Sequence, residues 1–393
     1  MSAVIVGIAR TPIGRFGGAY KPLNAVELGA HAIEAALGRS GLDPAQVNET
    51  LFGHVLQAGA GQITARQAAT RAGVPMNVPA TTINKVCLSG MTAIALADKD
   101  IRLGEATFVI AGGMESMTNA PYLLPSGRYG SGMGDAAIID SMTHDGLWCS
   151  FDHCTMGESS DAKNDQLGIG RAEQDEWSAE SHRRAAAATD NGGFDGEITP
   201  VAVPQRKGDP LQVSADEGIR RETTMETLGS LRPAFRSDGT VTAGNASQIS
   251  DGAAAVIVAD ETAADAAGLP VLAKILGYGQ IGGPDATLHE RPAEAMKVAL
   301  KRASMSTSDL DVVEINEAFA AVALWSTRML DLDHDQVNVN GGAVALGHPL
   351  GATGARITVS LINALRTKGG GVGAAALCGG GGQGDAIILE VAG

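Results

Sequence analysis

Two cysteines and one histidine of this chain stand where an extended segment gives way to a helix or a glycine-rich turn. Cys87 lies in Asn84-Lys85-Val86-Cys87-Leu88-Ser89-Gly90, just after the β-branched run Thr81, Thr82 and Ile83. Leu88, Met91, Ile94, Ala95 and Ile101 recur at helical spacing until Gly104, so Cys87 is expected at a strand-to-helix junction. The partial positive charge of a helix N-terminus favours thiolate, so a lowered pKa and a nucleophilic role are expected. The plain alternative is a small buried residue, as an isolated cysteine usually is. His348 lies in Gly347-His348-Pro349-Leu350-Gly351, a glycine-rich turn before a helix. That setting favours a functional role over a core histidine, and its glycines let backbone amides approach a ligand. Cys378 ends an apolar strand and enters Gly379–Gly382, mirroring the surroundings of Cys87.

Three further patterns carry less. Asn316, in Glu314-Ile315-Asn316-Glu317-Ala318-Phe319, reads on its own as a helix cap at the end of a strand. Gly379, Gly381 and Gly384 have the spacing of a dinucleotide fingerprint, but Ala386–Val391 reads as a terminal strand with no helix after it. The fingerprint is rejected. His144, Cys149, His153 and Cys154 match no common zinc spacing and have no second cluster to complete a site, so a loop is expected and no metal.

These residues must be positioned by a chain of 393 residues, long enough for two or three compact units. Its 44% hydrophobic and 19% charged content supports a large core. A net charge of −15 argues against nucleic acid or an anionic membrane as the main partner, while leaving room for a phosphorylated small molecule. Four scattered cysteines do not make a disulfide scaffold. The N-terminal segment reads as a strand rather than a signal peptide, and no apolar run reaches membrane-spanning length. A soluble cytoplasmic protein is expected.

Up to about Met117, strands and helices alternate, which predicts an α/β unit with a largely parallel sheet. From Thr118 to Asn245 the texture turns polar and rich in Gly, Pro and Ser, with one amphipathic helix from Arg171 to about Thr189. Gly252–Ala259 is apolar again and completes the first unit, and a second α/β pattern follows from Val271. Ala35–Val47 aligns without a gap with Val298–Leu310 at an offset of 263 residues. Asn84–Gly113 recurs more loosely as Val337–Leu346, Gly351–Leu365 and Val372–Leu377. Two similar halves imply a duplicated fold whose strand ends meet at a shared cleft. The expected division is 1–117 plus 246–268, an inserted subdomain 118–245, and 269–393.

With Cys87, His348 and Cys378 in these settings, the chain resembles the thiolase family over essentially its whole length. The motifs are Asn84–Gly90, Ala111–Ser116, Asn316–Phe319, Asn340–Ala343, Gly347–Gly351 and Cys378–Gly381, and the likeness is nearest to the biosynthetic, acetoacetyl-CoA-forming branch. The resemblance implies a five-layered αβαβα sandwich and two-step Claisen chemistry. Cys87 would carry the acyl group with help from His348, and Cys378 would act as acid and base. One oxyanion would be held by His348 and a water on Asn316, the other by the backbone N–H groups of Cys87 and Gly380. Ser247 would contact pantetheine and Arg220 the nucleotide end of CoA, Thr227 would belong to the CoA-binding segment, and Met156 to the substrate pocket. Acetyl-CoA, acetoacetyl-CoA and CoA are the implied ligands, with no metal or permanent cofactor, in a homodimer or homotetramer. Thr155 stands where the biosynthetic branch carries histidine, and Thr227 where it carries serine. The competing expectations are a broader 3-ketoacyl-CoA thiolase of fatty-acid degradation and a non-catalytic acyl-CoA or lipid-binding relative.

Overall fold

The computed structural model describes residues 2–130 and 132–393. Its strands are β1 (Ala3–Arg10), β2 (Glu49–Gly53), β3 (Ala80–Ile83), β4 (Phe108–Ser116), β5 (Ser250–Asp260), β6 (Ala273–Gly282), β7 (Val312–Ile315), β8 (Gly371–Gly379) and β9 (Gln383–Val391). They hydrogen-bond in the order β7-β8-β9-β6-β1-β5-β4-β2-β3. The principal helices are α1 (Ala25–Ser40), α2 (Thr64–Arg71), α3 (Ser89–Leu103), α4 (Met156–Leu167), α5 (Arg171–Asp190), α6 (Arg291–Ala303), α7 (Ala320–Met329) and α8 (Thr353–Lys368). Local signals start and stop them. Asn24 and Glu27 form a reciprocal capping box on α1, and Gly41 ends it at φ 76°. Gly104, in the same left-handed conformation, ends α3 where the periodicity stops.

The expected largely parallel sheet is corrected. Only β2 with β3, β2 with β4, and β7 with β8 run parallel. The other pairings are antiparallel, because β5 enters after the long insertion and β9 returns from β8 through a tight glycine turn. The two halves of the sheet are joined edge to edge by β1 and β6 at Val4↔Lys274 and Ile5↔Ala273.

Side-chain alternation on β1 shows how the layers stack. Val4 and Val6 face a core containing Leu28 and Ile33 of α1 and Ala65 and Ala68 of α2. Ala3, Ile5 and Ile8 face the opposite way, toward Met91 and Ile94 of α3 and Ile357 and Leu361 of α8. That same core takes Leu377 and Ile387 from the second half, so α3 and α8 lie between the two sheet halves. On the far side, Met296 of α6 and Ala320 of α7 cover Val313, Ala374 and Ile388. Helix, sheet, paired helices, sheet, helix: the sandwich has five layers. Strand β5 is buried along both faces, which explains its unbroken apolar run. Helix α8 is buried from Thr353 to Leu365, as a helix inside a sandwich must be. The crossing of α3 and α8 needs a missing side chain, since a Cβ on Gly354 would stand 2.3 Å from the Met91 nitrogen.

The duplication is visible in detail. The 3₁₀ turns Pro44–Gln46 and Thr307–Asp309 keep the 263-residue offset, and so do β4 and β8. Between β4 and β5 the insertion carries α4 and α5. Helix α4 follows directly on the cysteine- and histidine-containing stretch; Thr155 and Glu158 cap it reciprocally, a signature readable in Thr155-x-x-Glu158. Helix α5 runs where expected, but its buried stripe is largely polar, with Gln174, Ser178, Ser181 and His182 beside Trp177. Within the stretch expected to be a loop, Trp148–Cys149 pairs with Cys154–Thr155 in a short hairpin. No helix among the described residues is long and apolar enough to cross a membrane.

Candidate active site

The turn bearing Cys87 is held by its own neighbours. Val86 adopts φ 50°, a costly conformation for a β-branched residue. The Asn84 carboxamide accepts from Val86 N at 3.0 Å, while the Ser89 hydroxyl accepts from Lys85 N at 2.8 Å and donates to Val86 O at 2.6 Å. These bonds fix the direction of the Cys87 side chain. Its Sγ lies 3.3 Å from Nε2 of His348, brought from 261 residues away. The backbone N–H groups of Cys87 and Gly380 also address the sulfur. Around them is a cavity of ≈ 60 Å³ whose walls include Leu147, Met156, Ser247, Leu288, Phe319 and Leu350.

The expected lowering of the Cys87 pKa is overturned. Helix α3 begins two residues later, and burial pushes the thiol up to about 12 despite the two amides that favour thiolate. Desolvation outweighs them because residues of both halves and the insertion, among them Leu56, Met117, Leu147 and Leu350, pack around the side chain. Burial, with the Arg356 charge behind it, likewise holds His348 down to about 3. Burial thus disfavours the charged form of both partners, thiolate and imidazolium.

Cys378, the penultimate residue of β8, is fully buried among Met156, Leu288, Ala318 and Phe319, which also line the cavity. Burial and the nearby Cys87 raise its pKa well above the usual thiol range. Asn316 is not a helix cap. Strand β7 ends at Ile315 and α7 starts only at Ala320, so Asn316–Phe319 forms a connection between them. The Asn316 backbone N–H bonds to Ala376 O at 3.0 Å and its Oδ1 accepts from Arg356 Nη2 at 3.4 Å. Its Nδ2 is buried with no hydrogen-bond partner among the described residues.

Of the residues expected to bind substrate, Met156 and Ser247 line the cavity with Cys87, His348 and the expected oxyanion donor Gly380. Arg220 and Thr227 do not. Arg220 is exposed, its backbone N–H donating to His182 Nδ1 at 3.1 Å, and Thr227 closes a capping box with Thr224 at a short helix. Thr155 caps α4 beside Met156 rather than lining the cavity.

Glu115 is a structural support that sequence reasoning missed, although it lies within the motif Ala111–Ser116. The buried Glu115 carboxylate accepts from Val55 N and Leu56 N, each at 3.1 Å, and from Gly351 N at 2.9 Å. It thereby ties the loop after His348 to the end of β2. Burial raises its pKa to about 7 against those three amides. Leu147 and Leu288 were missed too. They come from segments with no motif, and only the fold brings them to the cavity.

Comparison with known proteins fits this arrangement. The family model "Thiolase, N-terminal domain" matches residues 3–262, and "Thiolase, C-terminal domain" matches 269–391. A probable acetyl-CoA acetyltransferase of Mycolicibacterium smegmatis is 53% identical over 387 residues, covering 98% of this chain and all (100%) of that protein. A probable acetyl-CoA acyltransferase of Staphylococcus epidermidis is 50% identical, covering 99% of each. The crystal structure of the Bacillus anthracis acetyl-CoA acetyltransferase superposes with a TM-score of 0.97 at 42% identity, covering 99% of this chain and 98% of that one. Matched by both family models along nearly all of its length, and sharing the fold of a solved relative, this chain belongs to the thiolase family.

Proposed function

We propose that the protein is an acetyl-CoA C-acetyltransferase, condensing two acetyl-CoA to acetoacetyl-CoA and CoA through an acetyl group on Cys87, and running thiolysis in reverse. The observation that carries this reading is the Cys87 Sγ to His348 Nε2 approach of 3.3 Å inside a small apolar cavity. As the sulfur attacks the thioester carbon, Nε2 takes its proton. The Cys87 and Gly380 amides meet the oxyanion, and collapse breaks the bond to the CoA sulfur. Cys378 gives its proton to that sulfur, and free CoA departs. The Cys378 thiolate then removes a proton from the methyl group of a second acetyl-CoA; a buried thiolate of raised pKa is a strong enough base to suit this weak carbon acid. The enolate oxygen is met by protonated His348 and a water on the free Asn316 Nδ2. Carbon–carbon bond formation releases the Cys87 sulfur, which recovers its proton from His348. Ser247 and Met156 contact the bound substrate, with Arg220 and Thr227 reached by the CoA moiety beyond the cavity. On the family resemblance, the enzyme works in the cytoplasm as a homodimer or homotetramer.

The space in front of Cys87 is small, ≈ 60 Å³, and walled mostly by apolar side chains. That supports acetyl over long acyl chains. Comparing thiolysis of acetoacetyl-CoA with that of long-chain 3-ketoacyl-CoAs tests it, with kcat/KM expected to favour acetoacetyl-CoA by about tenfold or more. The reverse preference would establish a broad 3-ketoacyl-CoA thiolase, the reading favoured by threonine at 155 and by the acyltransferase name of the S. epidermidis relative.

Asn316→Ala removes the free amide while leaving the Cys87–His348 pair in place. Turnover is expected to fall by about 10²–10³, the usual loss for one oxyanion donor. Thermal unfolding should shift little. Unchanged condensation kinetics would remove Asn316 from the mechanism.

A further inference from the structure

We infer that Thr353 is a positioning residue that fixes the tautomer of His348, so that the imidazole presents an unprotonated Nε2 to the Cys87 thiol. The inference rests on the acyl-transfer reading above and adds a residue to it. Thr353 is wholly buried, at the first position of α8. Its hydroxyl stands 2.6 Å from His348 Nδ1 and donates to Pro349 O at 2.9 Å.

A hydroxyl has one proton to give. Here the i−4 carbonyl of Pro349 takes it, the back-bond that threonine commonly makes in a helix. Pro349 O is solely an acceptor, so the Thr353 oxygen is left facing Nδ1 with a lone pair. Nδ1 must then carry the hydrogen. A neutral imidazole has only one N–H, so Nε2, 3.3 Å from Cys87 Sγ, keeps its lone pair. Burial and the Arg356 charge hold the ring pKa down to about 3, which favours the neutral imidazole. In the opposite tautomer, Thr353 would have to turn its proton to Nδ1, and the buried Pro349 carbonyl would lose one of its two donors and keep only Ala352 N at 3.0 Å. Nε2 would then face the thiol as N–H, unable to take the sulfur's proton. The device needs a side chain that back-bonds to the preceding turn while accepting from the ring; threonine and serine do both, valine neither.

The test uses the full-length enzyme labelled with ¹⁵N-histidine, with the His348 signals identified by their loss in His348→Asn. In the wild type, the ¹⁵N shifts near neutral pH are expected to show a protonated Nδ1 and a bare Nε2. This measurement needs no Thr353 variant, so a folding defect cannot spoil it. Thr353→Val should move the signals toward the Nε2–H form and slow single-turnover acetylation of Cys87 by about 10–10²-fold, in the range of lost general-base catalysis. The KM for acetyl-CoA should stay within about twofold, because ground-state binding is untouched. Thr353→Ser should restore both the shifts and the rate. A protonated Nε2 in the wild type, or a valine variant with unchanged shifts and acetylation rate, would overturn the assignment. Absence of Cys87 acetylation in the wild type would instead remove the functional reading, and the nitrogen shifts would still report the tautomer.

Discussion

Labelled acetyl-CoA is expected to leave its acetyl group on Cys87, and Cys87→Ala to abolish both labelling and condensation. Among the four cysteines, Cys87 is the one with an imidazole nitrogen at 3.3 Å and a cavity in front of it. Cys149 hydrogen-bonds to Asp152 in a short hairpin, and Cys154 is half-buried on its other strand. Removing a nucleophile that works as a unit with its base costs most of the rate enhancement, so a loss of at least about 10³ in turnover is expected. The fold should survive, because alanine gives up only one sulfur atom beside an existing cavity. Peptide mapping of the labelled enzyme decides the matter. Label on another residue, or none, would refute the acyl-cysteine reading.

Cys378→Ala is expected to separate the two half-reactions. The variant should still take up acetyl on Cys87, since the Cys87–His348 pair is intact and a CoA thiolate can leave without a proton donor. It should fail to condense. No described side chain other than Cys378 is assigned to remove the methyl proton, and loss of a general base costs about 10²–10⁴. Acetyl-enzyme should therefore accumulate and persist in the presence of excess acetyl-CoA, which mass spectrometry of the intact protein would detect. Normal condensation by this variant would remove Cys378 from the acid/base role. The sulfur sits at the end of β8, where the first half carries Glu115 at the end of β4 at the same 263-residue offset. One copy of the duplicated strand thus ends in a group that supports the site, and the other in a group placed for chemistry.

Much of this is legible in the residues themselves. The boundaries of α1, α3 and α5, the unbroken apolar run of β5 and the duplicated halves all follow from periodicity, caps and glycine stops, which act over a few residues. Cys87 and His348 stand out by their turns, and Gly380, Met156 and Ser247 by their likeness to family motifs; all five line one cavity. Short motifs are readable in sequence because the turns that aim these groups are local.

What tertiary structure alone decided has a common physical cause. Strand direction depends on where the chain re-enters the sheet, so the mixed order could not be read from alternation. Asn316 would be a cap if α7 began beside it; instead α7 starts at Ala320 and the amide is left free. Leu147 and Leu288 reach the cavity from segments with no signature of their own. The sign of the Cys87 shift is the sharpest case. A helix terminus acts over one turn and favours thiolate, whereas desolvation sums every atom that excludes water, most of them far along the chain. That sum leaves the thiol at about 12 and makes the approach of its proton acceptor, His348 from 261 residues away, the decisive contact. Residue types set which chemistry was open to this protein; long-range packing set the charge state from which it starts.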